Sequence, residues 1–146
     1  MEDYNFYNFA IGSYSPTVHL YKLKQAIKKN ILPKKIILQV LGKPLLTHML
    51  DRIKQARHID KIIICTSTNP QDDTIAEIAT KEEVSCYRGS EDDVLVRLYE
   101  AAQEYKVEYF VNITADCPTV DPFYIDKIIN EYEKTSADLI IYKKLP

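Results

Sequence analysis

Asp116 is the carboxylate of this chain whose surroundings are best suited to chemistry. It follows the apolar, β-rich run 109–113 and precedes the turn residues Cys117 and Pro118. In an open α/β sheet, ligands bind just beyond the carboxyl ends of the strands. A carboxylate at such a strand end can hold a metal ion against a phosphate. The sequence therefore predicts that Asp116 is a metal ligand at a phosphate-binding site.

Simpler roles for the acidic residues stay open beside this interpretation. Asp116 could cap the turn that follows it, and Asp121 fits the N-cap of a helix that Pro122 begins better than it fits a ligand. Asp72 and Asp73 are expected to favour the positive start of a helix.

A second polar segment, Arg88-Gly-Ser-Glu-Asp-Asp-Val-Leu95, follows another short apolar run. The charge of the chain is also unevenly distributed, because the stretch 4–50 contains seven lysines and no acidic residue while the remainder is acidic. A basic pole of this kind suits a polyanion, either a triphosphate or a nucleic acid. A solvated lysine-rich helix face over 22–29 is an equally simple explanation. Nucleic acid is disfavoured, because the net charge is −2 and aromatic residues do not interleave with these lysines.

The elements that must position these residues alternate regularly. Short apolar runs of the kind buried in parallel sheets follow amphipathic stretches with helical spacing. Strands are predicted at 6–11, 61–66, 84–87, 109–114 and 138–142, and helices at 20–31, 44–56, around 75–79, from Asp92 or Asp93 to 105, and at 122–132. This order predicts a single α/β domain over 1–146, a three-layer, Rossmann-like open and mainly parallel sheet with helices on both faces.

Composition narrows the class of protein. Apolar content of 46% and charged content of 27% are ordinary for a globular domain. No apolar run approaches the roughly 20 residues of a membrane span, and the N-terminus lacks the pattern of a secretory signal. The three cysteines, Cys65, Cys86 and Cys117, lack metal-ligand spacing and are expected to be reduced core thiols. We therefore expect a cytoplasmic protein.

From Leu32 onward the sequence resembles the cytidylyltransferase family of the spore-coat polysaccharide and acylneuraminate type, which has the nucleotide-diphospho-sugar transferase fold. The resemblance is carried by segments in the family's order and spacing. These are Leu32-Pro-Lys-Lys35, Gly42-Lys-Pro-Leu-Leu46, Thr66-Ser-Thr-Asn-Pro70, Arg88–Leu95 and Ile113–Pro122. The match covers the nucleotide-binding half of a typical member, with 1–31 as an atypical N-terminal segment.

The resemblance implies an activity and a set of site residues. Members transfer CMP from CTP to a sugar, usually an acidic one, and release pyrophosphate. By resemblance, Asp116 is a catalytic residue and the Mg²⁺ ligand, and Lys35 is the catalytic, phosphate-binding lysine. Lys34 is expected to bind the nucleotide with Lys35, and Arg88, Ser90 and Asp93 are expected near the nucleotide or sugar. CTP, a sugar and a possible second copy of the chain are the implied partners.

The phosphate-binding loop departs from the family pattern. Lys34 replaces the glycine after Leu-Pro, and Ile31 replaces the arginine before it. Gly12-Ser13 is similar to the Gly-Ser of that loop but lies too far upstream. A lysine is a point charge and does not reproduce the bidentate fork of an arginine. A second hypothesis therefore stays open: a catalytically inactive, truncated family member that acts as a nucleotide-binding or protein-interaction module.

Overall fold

A computed structural model describes the backbone of residues 5–9 and the chain from residue 35 to residue 141. Strands and helices alternate along it. The strands are β1 Asn5–Phe9, β2 Gln39–Val40, β3 Lys43–Pro44, β4 Ile63–Ser67, β5 Ser85–Gly89 and β6 Tyr109–Ile113. The helices are α1 Leu45–Ile53, α2 Asp73–Lys81, α3 Val94–Glu104 and α4 Pro122–Thr135, with a 3₁₀ turn Pro70–Asp72 before α2.

The longer strands pair in parallel. β4 lies beside β5 with Cys65 opposite Tyr87, and β1 lies beside β6 with Asn8 opposite Asn112. β2 and β3 form a short antiparallel hairpin. Parallel neighbours require crossover connections, and here α2 connects β4 to β5. The predicted α/β fold with parallel strands is confirmed.

Helices cover both faces of the β4–β5 pair. On one face, Ile64 packs against Leu50 of α1 and Ile78 of α2 in a common apolar cluster. On the other face, the Tyr87 hydroxyl donates a hydrogen bond to Glu100 of α3, 2.9 Å away. Side chains alternate between the faces of a strand, so each face can bury its own helices. The layered arrangement predicted from the sequence is therefore present at this pair.

A second apolar cluster joins α1 and α4 to β6. Met49 and Ile53 of α1 pack against Ile125 and Ile128 of α4, and Val111 of β6 contacts this cluster. Helix α1 contributes to both clusters because its buried residues recur at helical spacing around a wide stripe. The helix therefore links β6 to the β4–β5 pair.

The helix starts follow local capping chemistry. Of the two cap candidates for α3, the structure selects Asp93, whose carboxylate accepts the Val96 N–H at 2.9 Å. Asp121 caps α4 by accepting the Phe123 N–H at 3.0 Å, as expected from its position before a proline. Each of these carboxylates satisfies an N–H that the first turn of a helix leaves unpaired.

One predicted element is wrong. The strand expected at 138–142 is irregular over residues 138–141, and Leu139 and Ile141 are exposed. Apolar character alone does not make a strand, because a strand needs a partner for its backbone groups. Within the described chain no such partner pairs with this segment. The predicted helix at 20–31, Lys34, and the ends of the first and last predicted strands lie outside the described residues.

Three smaller findings concern the rest of the sequence-based expectations. No helix in the described part of the chain has the length and apolarity needed to cross a membrane. All three cysteines are free thiols and each is half-buried. Burial raises the pKa of the Cys65 thiol to about 11, and burial also raises the pKa of the Cys86 thiol.

Candidate active site

The loop after β6 presents Asp116 to solvent. Two consecutive turns form it: the Cys117 N–H donates to the Thr114 carbonyl and the Val120 N–H donates to the Cys117 carbonyl, each at 3.1 Å. Asp116 lies in the first turn and is exposed. The thiol of Cys117 lies 3.9 Å from the Asp116 carboxylate, a long and weak contact. The carboxylate oxygens are thus available to a ligand.

Helix α1 supports this loop at both ends. Ala115 packs against the cluster containing Leu46 and Leu50, and Val120 is fully buried beside Met49. The Nε–H of Arg52 donates to the Val120 carbonyl oxygen at 2.6 Å. Asp116 therefore lies on a loop whose flanks are fixed by packing and hydrogen bonds.

The loop after β4 is organised around Asp72. One oxygen of its carboxylate accepts hydrogen bonds from the Thr66 hydroxyl at 2.9 Å, the Ser67 hydroxyl at 2.6 Å and the Ser67 N–H at 3.2 Å. Burial alone would raise the pKa of Asp72, but these hydrogen bonds outweigh it and hold the pKa below its usual value. Asp72 thus closes the loop at the end of β4, and its carboxylate accepts no capping hydrogen bond from α2.

Arg88, at the end of β5, holds the same loop from the other side. Its Nε–H donates to the Ser67 carbonyl and its Nη2 to the Asn69 carbonyl, both at 2.9 Å. Its Nη1 lies 2.7 Å from the Asp73 carboxylate at the start of α2. The planar guanidinium fork can satisfy these three acceptors at once. Arg88 thereby joins β5, the loop after β4, and α2.

The loop between β5 and α3 is fixed by its own polar groups. The Ser90 hydroxyl accepts the Asp93 N–H at 3.0 Å, and Nη1 of Arg97 donates to the Ser90 carbonyl at 2.5 Å. The Asn69 side chain donates to the Glu91 carboxylate at 2.9 Å and so joins this loop to the one after β4. Together these contacts make the ends of β4 and β5 a single polar assembly.

Gly89 is required by close approach at this point. A Cβ there would lie 2.8 Å from Cε1 of Tyr87 and 3.0 Å from Cγ of Arg97. A side chain at position 89 would therefore require the Tyr87 and Arg97 side chains to shift.

With this geometry in place, comparison with known proteins is decisive. A family model described as cytidylyltransferase matches residues 31–143. The chain belongs to the cytidylyltransferase family.

The relatives agree with this assignment. This cytidylyltransferase-family chain is 26% identical over 123 residues to the spore coat polysaccharide biosynthesis protein SpsF of Bacillus subtilis, covering 82% of this chain and 51% of that protein. It is 30% identical over 112 residues to the 3-deoxy-manno-octulosonate cytidylyltransferase of Brucella ovis, covering 74% and 43%. The chain thus spans about half the length of these relatives.

The fold agrees as well. A cytidylyltransferase structure from Leptospira borgpetersenii superimposes with a TM-score of 0.66 at 26% identity, covering 94% of this chain and 51% of that one. The sequence comparisons therefore confirm the predicted family, and the structural comparison confirms the predicted fold.

The predicted site residues of this family member fall into three groups in the structure. Asp116 is exposed at the end of β6, and Lys35 is exposed at the start of the described chain, whereas Lys34 lies outside it. Arg88, Ser90 and Asp93 are gathered at the end of β5, where each already has protein partners. Among residues 35–141, no hydrogen bond or ion pair joins Asp116 or Lys35 to that third group. Their roles toward a nucleotide stay predictions.

Sequence reasoning missed the residues that hold these loops. Arg52 and Arg97 carried no local signal for such a role, and Asn69 and Glu91 lie in segments that carry the family resemblance, where nothing indicated that they bond each other. Arg52 bonds a carbonyl 68 positions away, and Asn69 bonds a carboxylate 22 positions away. Nothing around Arg52 in the sequence indicated its role, because the residue is exposed and follows another charged residue, Asp51.

The donor set at Asp116 fits a cation that is bound together with a nucleotide. In the chain from 35 to 141, no three His, Cys, Asp or Glu side chains converge as a metal-binding cluster. Magnesium is commonly held by one or two carboxylates, with water and substrate phosphates completing its octahedron. A single exposed carboxylate such as Asp116 suits that mode.

Proposed function

We propose that this chain forms the CTP-binding part of an enzyme that transfers CMP from CTP to a sugar and releases pyrophosphate. The observation that carries the proposal is Asp116, an exposed carboxylate on a supported loop at the carboxyl end of β6, in a chain of the cytidylyltransferase family. Strand ends are where ligands bind in this fold class.

The proposed reaction assigns a role to each group. The sugar hydroxyl oxygen attacks the α-phosphorus of CTP, the bond to the β-phosphate oxygen breaks, pyrophosphate leaves, and the hydroxyl proton passes to solvent. Asp116 would hold Mg²⁺, which when bound neutralises the phosphate oxygens. Lys34 and Lys35 would add positive charge, since catalysis of phosphoryl transfer is mainly positioning and charge neutralisation.

The remaining predicted residues would shape the nucleotide or sugar pocket. Arg88 is mostly occupied by protein acceptors, so its proposed contribution is to fix the loop that faces the ligand. Ser90 and Asp93 would act in the same way from the loop after β5.

The acceptor is proposed from the names of the relatives. The Brucella ovis protein is named for a sugar acid, 3-deoxy-manno-octulosonate, and the Bacillus subtilis protein for spore coat polysaccharide biosynthesis. An acidic sugar used in a cell-surface polysaccharide is therefore the acceptor class we propose. The cytoplasm, where CTP is made, is the proposed compartment, and the homodimer stays a prediction.

The test is titration calorimetry with CTP, UTP, ATP and GTP, each with and without Mg²⁺. We expect selective binding of CTP that is strengthened by Mg²⁺. Asp116→Asn keeps the shape of the side chain but removes its charge, so it should abolish most of the Mg²⁺-dependent gain. Asp60→Asn is the matched control, because Asp60 is also exposed but precedes β4 at the opposite end of the strands.

The outcomes separate the two hypotheses. Selective CTP binding that depends on Asp116 would justify a coupled pyrophosphate assay with acidic sugars. A folded protein that binds none of the four nucleotides would contradict the proposal and favour the inactive interaction module.

A further inference from the structure

Arg52 joins α1 to the loop after β6 by a side-chain hydrogen bond. Its Nε–H donates to the Val120 carbonyl oxygen at 2.6 Å, between residues 68 positions apart. Val120 is fully buried, so its carbonyl has limited access to water. A buried carbonyl that loses its partner is costly, which gives this bond weight in the local structure.

The bond continues into the two turns that carry Asp116. The Val120 N–H is bonded to the Cys117 carbonyl, and the Cys117 N–H is bonded to the Thr114 carbonyl at the end of β6. Arg52 therefore fixes one end of a short series of hydrogen bonds, and β6 fixes the other. Asp116 lies between these two fixed points.

We propose that Arg52 is a positioning residue for the metal ligand: it holds the Val120 carbonyl so that the Asp116 carboxylate is presented in one orientation. This inference rests on the proposed function, in which Asp116 binds Mg²⁺ together with CTP. A cation that takes a single protein carboxylate depends on the direction of that carboxylate. Groups that orient a metal ligand commonly change metal affinity by about 10–100-fold when they are removed.

Two substitutions separate this role from packing and from charge. Glutamine carries its side-chain N–H donor the same number of bonds from Cα as the Nε of arginine, so Arg52→Gln can keep the hydrogen bond without the positive charge. Arg52→Met has a stem of the same length and no donor. Arg57→Met is the control, because Arg57 is exposed in the loop after α1 and contributes only its backbone N–H to the contacts of the described chain.

The experiment measures the Mg²⁺ concentration that gives half of the gain in CTP affinity. We expect it to rise about tenfold in Arg52→Met, to stay within about threefold of wild type in Arg52→Gln, and to be unchanged in Arg57→Met. CTP affinity without Mg²⁺ should be the same in all four proteins. A purely structural defect would instead weaken CTP binding with and without Mg²⁺ alike.

Amide hydrogen exchange in the free protein gives a second readout. In Arg52→Met, the Val120 and Cys117 N–H groups should exchange faster, whereas the Thr68 N–H, bonded to the Gly89 carbonyl in the other assembly, should not change. A wild type without Mg²⁺-dependent CTP binding would overturn both the proposed function and this role. A wild type that binds, with an Arg52→Met variant that needs no more Mg²⁺, would overturn the positioning role alone.

Discussion

Replacing Arg88 tests whether this residue holds the loops at the ends of β4 and β5. In the structure its guanidinium donates to the Ser67 and Asn69 carbonyls, both at 2.9 Å, and pairs with the Asp73 carboxylate at 2.7 Å. Arg88→Ala removes all three contacts. Arg88→Lys keeps the charge but can replace only part of a planar fork.

The magnitude follows from the kind and exposure of each contact. A hydrogen bond with a charged donor contributes about 1.5–3 kcal/mol, and an exposed ion pair contributes about 0–1 kcal/mol. The Arg88 side chain is 31% exposed and that of Asp73 is 57% exposed, so water can replace some of what is lost. We therefore expect Arg88→Ala to lower the free energy of unfolding by about 3 kcal/mol and Arg88→Lys by about 1–2 kcal/mol.

Urea denaturation at equilibrium measures these differences. Asp73→Ala removes the ion pair and one acidic group at the start of α2, both exposed, and should cost about 1 kcal/mol or less. The reasoning would be refuted if Arg88→Ala and Asp73→Ala were equally destabilising, because the two carbonyl hydrogen bonds would then contribute nothing.

Two further predictions concern the turn of the hairpin and a buried thiol. Leu41 is 94% exposed and has a left-handed backbone with φ 50°, before Gly42 with φ 84°. Asparagine tolerates this conformation better than leucine, so Leu41→Asn should raise the free energy of unfolding in urea by about 0.5–1 kcal/mol, whereas Leu38→Asn should not. A less stable Leu41→Asn protein would contradict backbone strain at Leu41. Since burial raises the pKa of the Cys65 thiol from 9.0 to about 11, its thiolate fraction at pH 8 is about a hundredfold smaller than in the unfolded chain. Mass spectrometry after iodoacetamide treatment should find Cys65 alkylated more slowly when native than in urea, and equal rates would refute the burial.

The parts of the fold that could be predicted are those set by neighbouring residues. The spacing of apolar residues predicted α1 and α4, and the Asp-Pro pair at Asp121 predicted the start of α4, because capping and helical periodicity act within a few residues. A short apolar run predicted the strand at 138–142, and that prediction is wrong over residues 138–141. Strand formation also depends on a partner that is distant in the sequence.

The same distinction between local and distant interactions applies to the residues of the candidate site. Asp116 could be identified, because its position at the end of an apolar run is visible in the sequence. The contact between Arg52 and Val120 could not, because nothing near either residue indicates the other. Asp72 is an intermediate case: α2 begins beside it, as expected, but its carboxylate accepts hydrogen bonds from Thr66 and Ser67 and does not cap the helix.

Asp116 differs from the other carboxylates at the strand ends in the hydrogen bonds that it accepts. Asp72 and Asp93 are occupied by donors from their own loops, so binding a cation there would first require breaking those hydrogen bonds. Asp116 has no comparable donor in the described chain beyond the weak contact from Cys117, while its loop is held by groups that leave its oxygens exposed. An exposed carboxylate on a loop that is held through its backbone is consistent with the metal-ligand role proposed for Asp116. Loss of Asp72 should therefore lower stability first, whereas loss of Asp116 should lower Mg²⁺-dependent nucleotide binding and leave the fold intact.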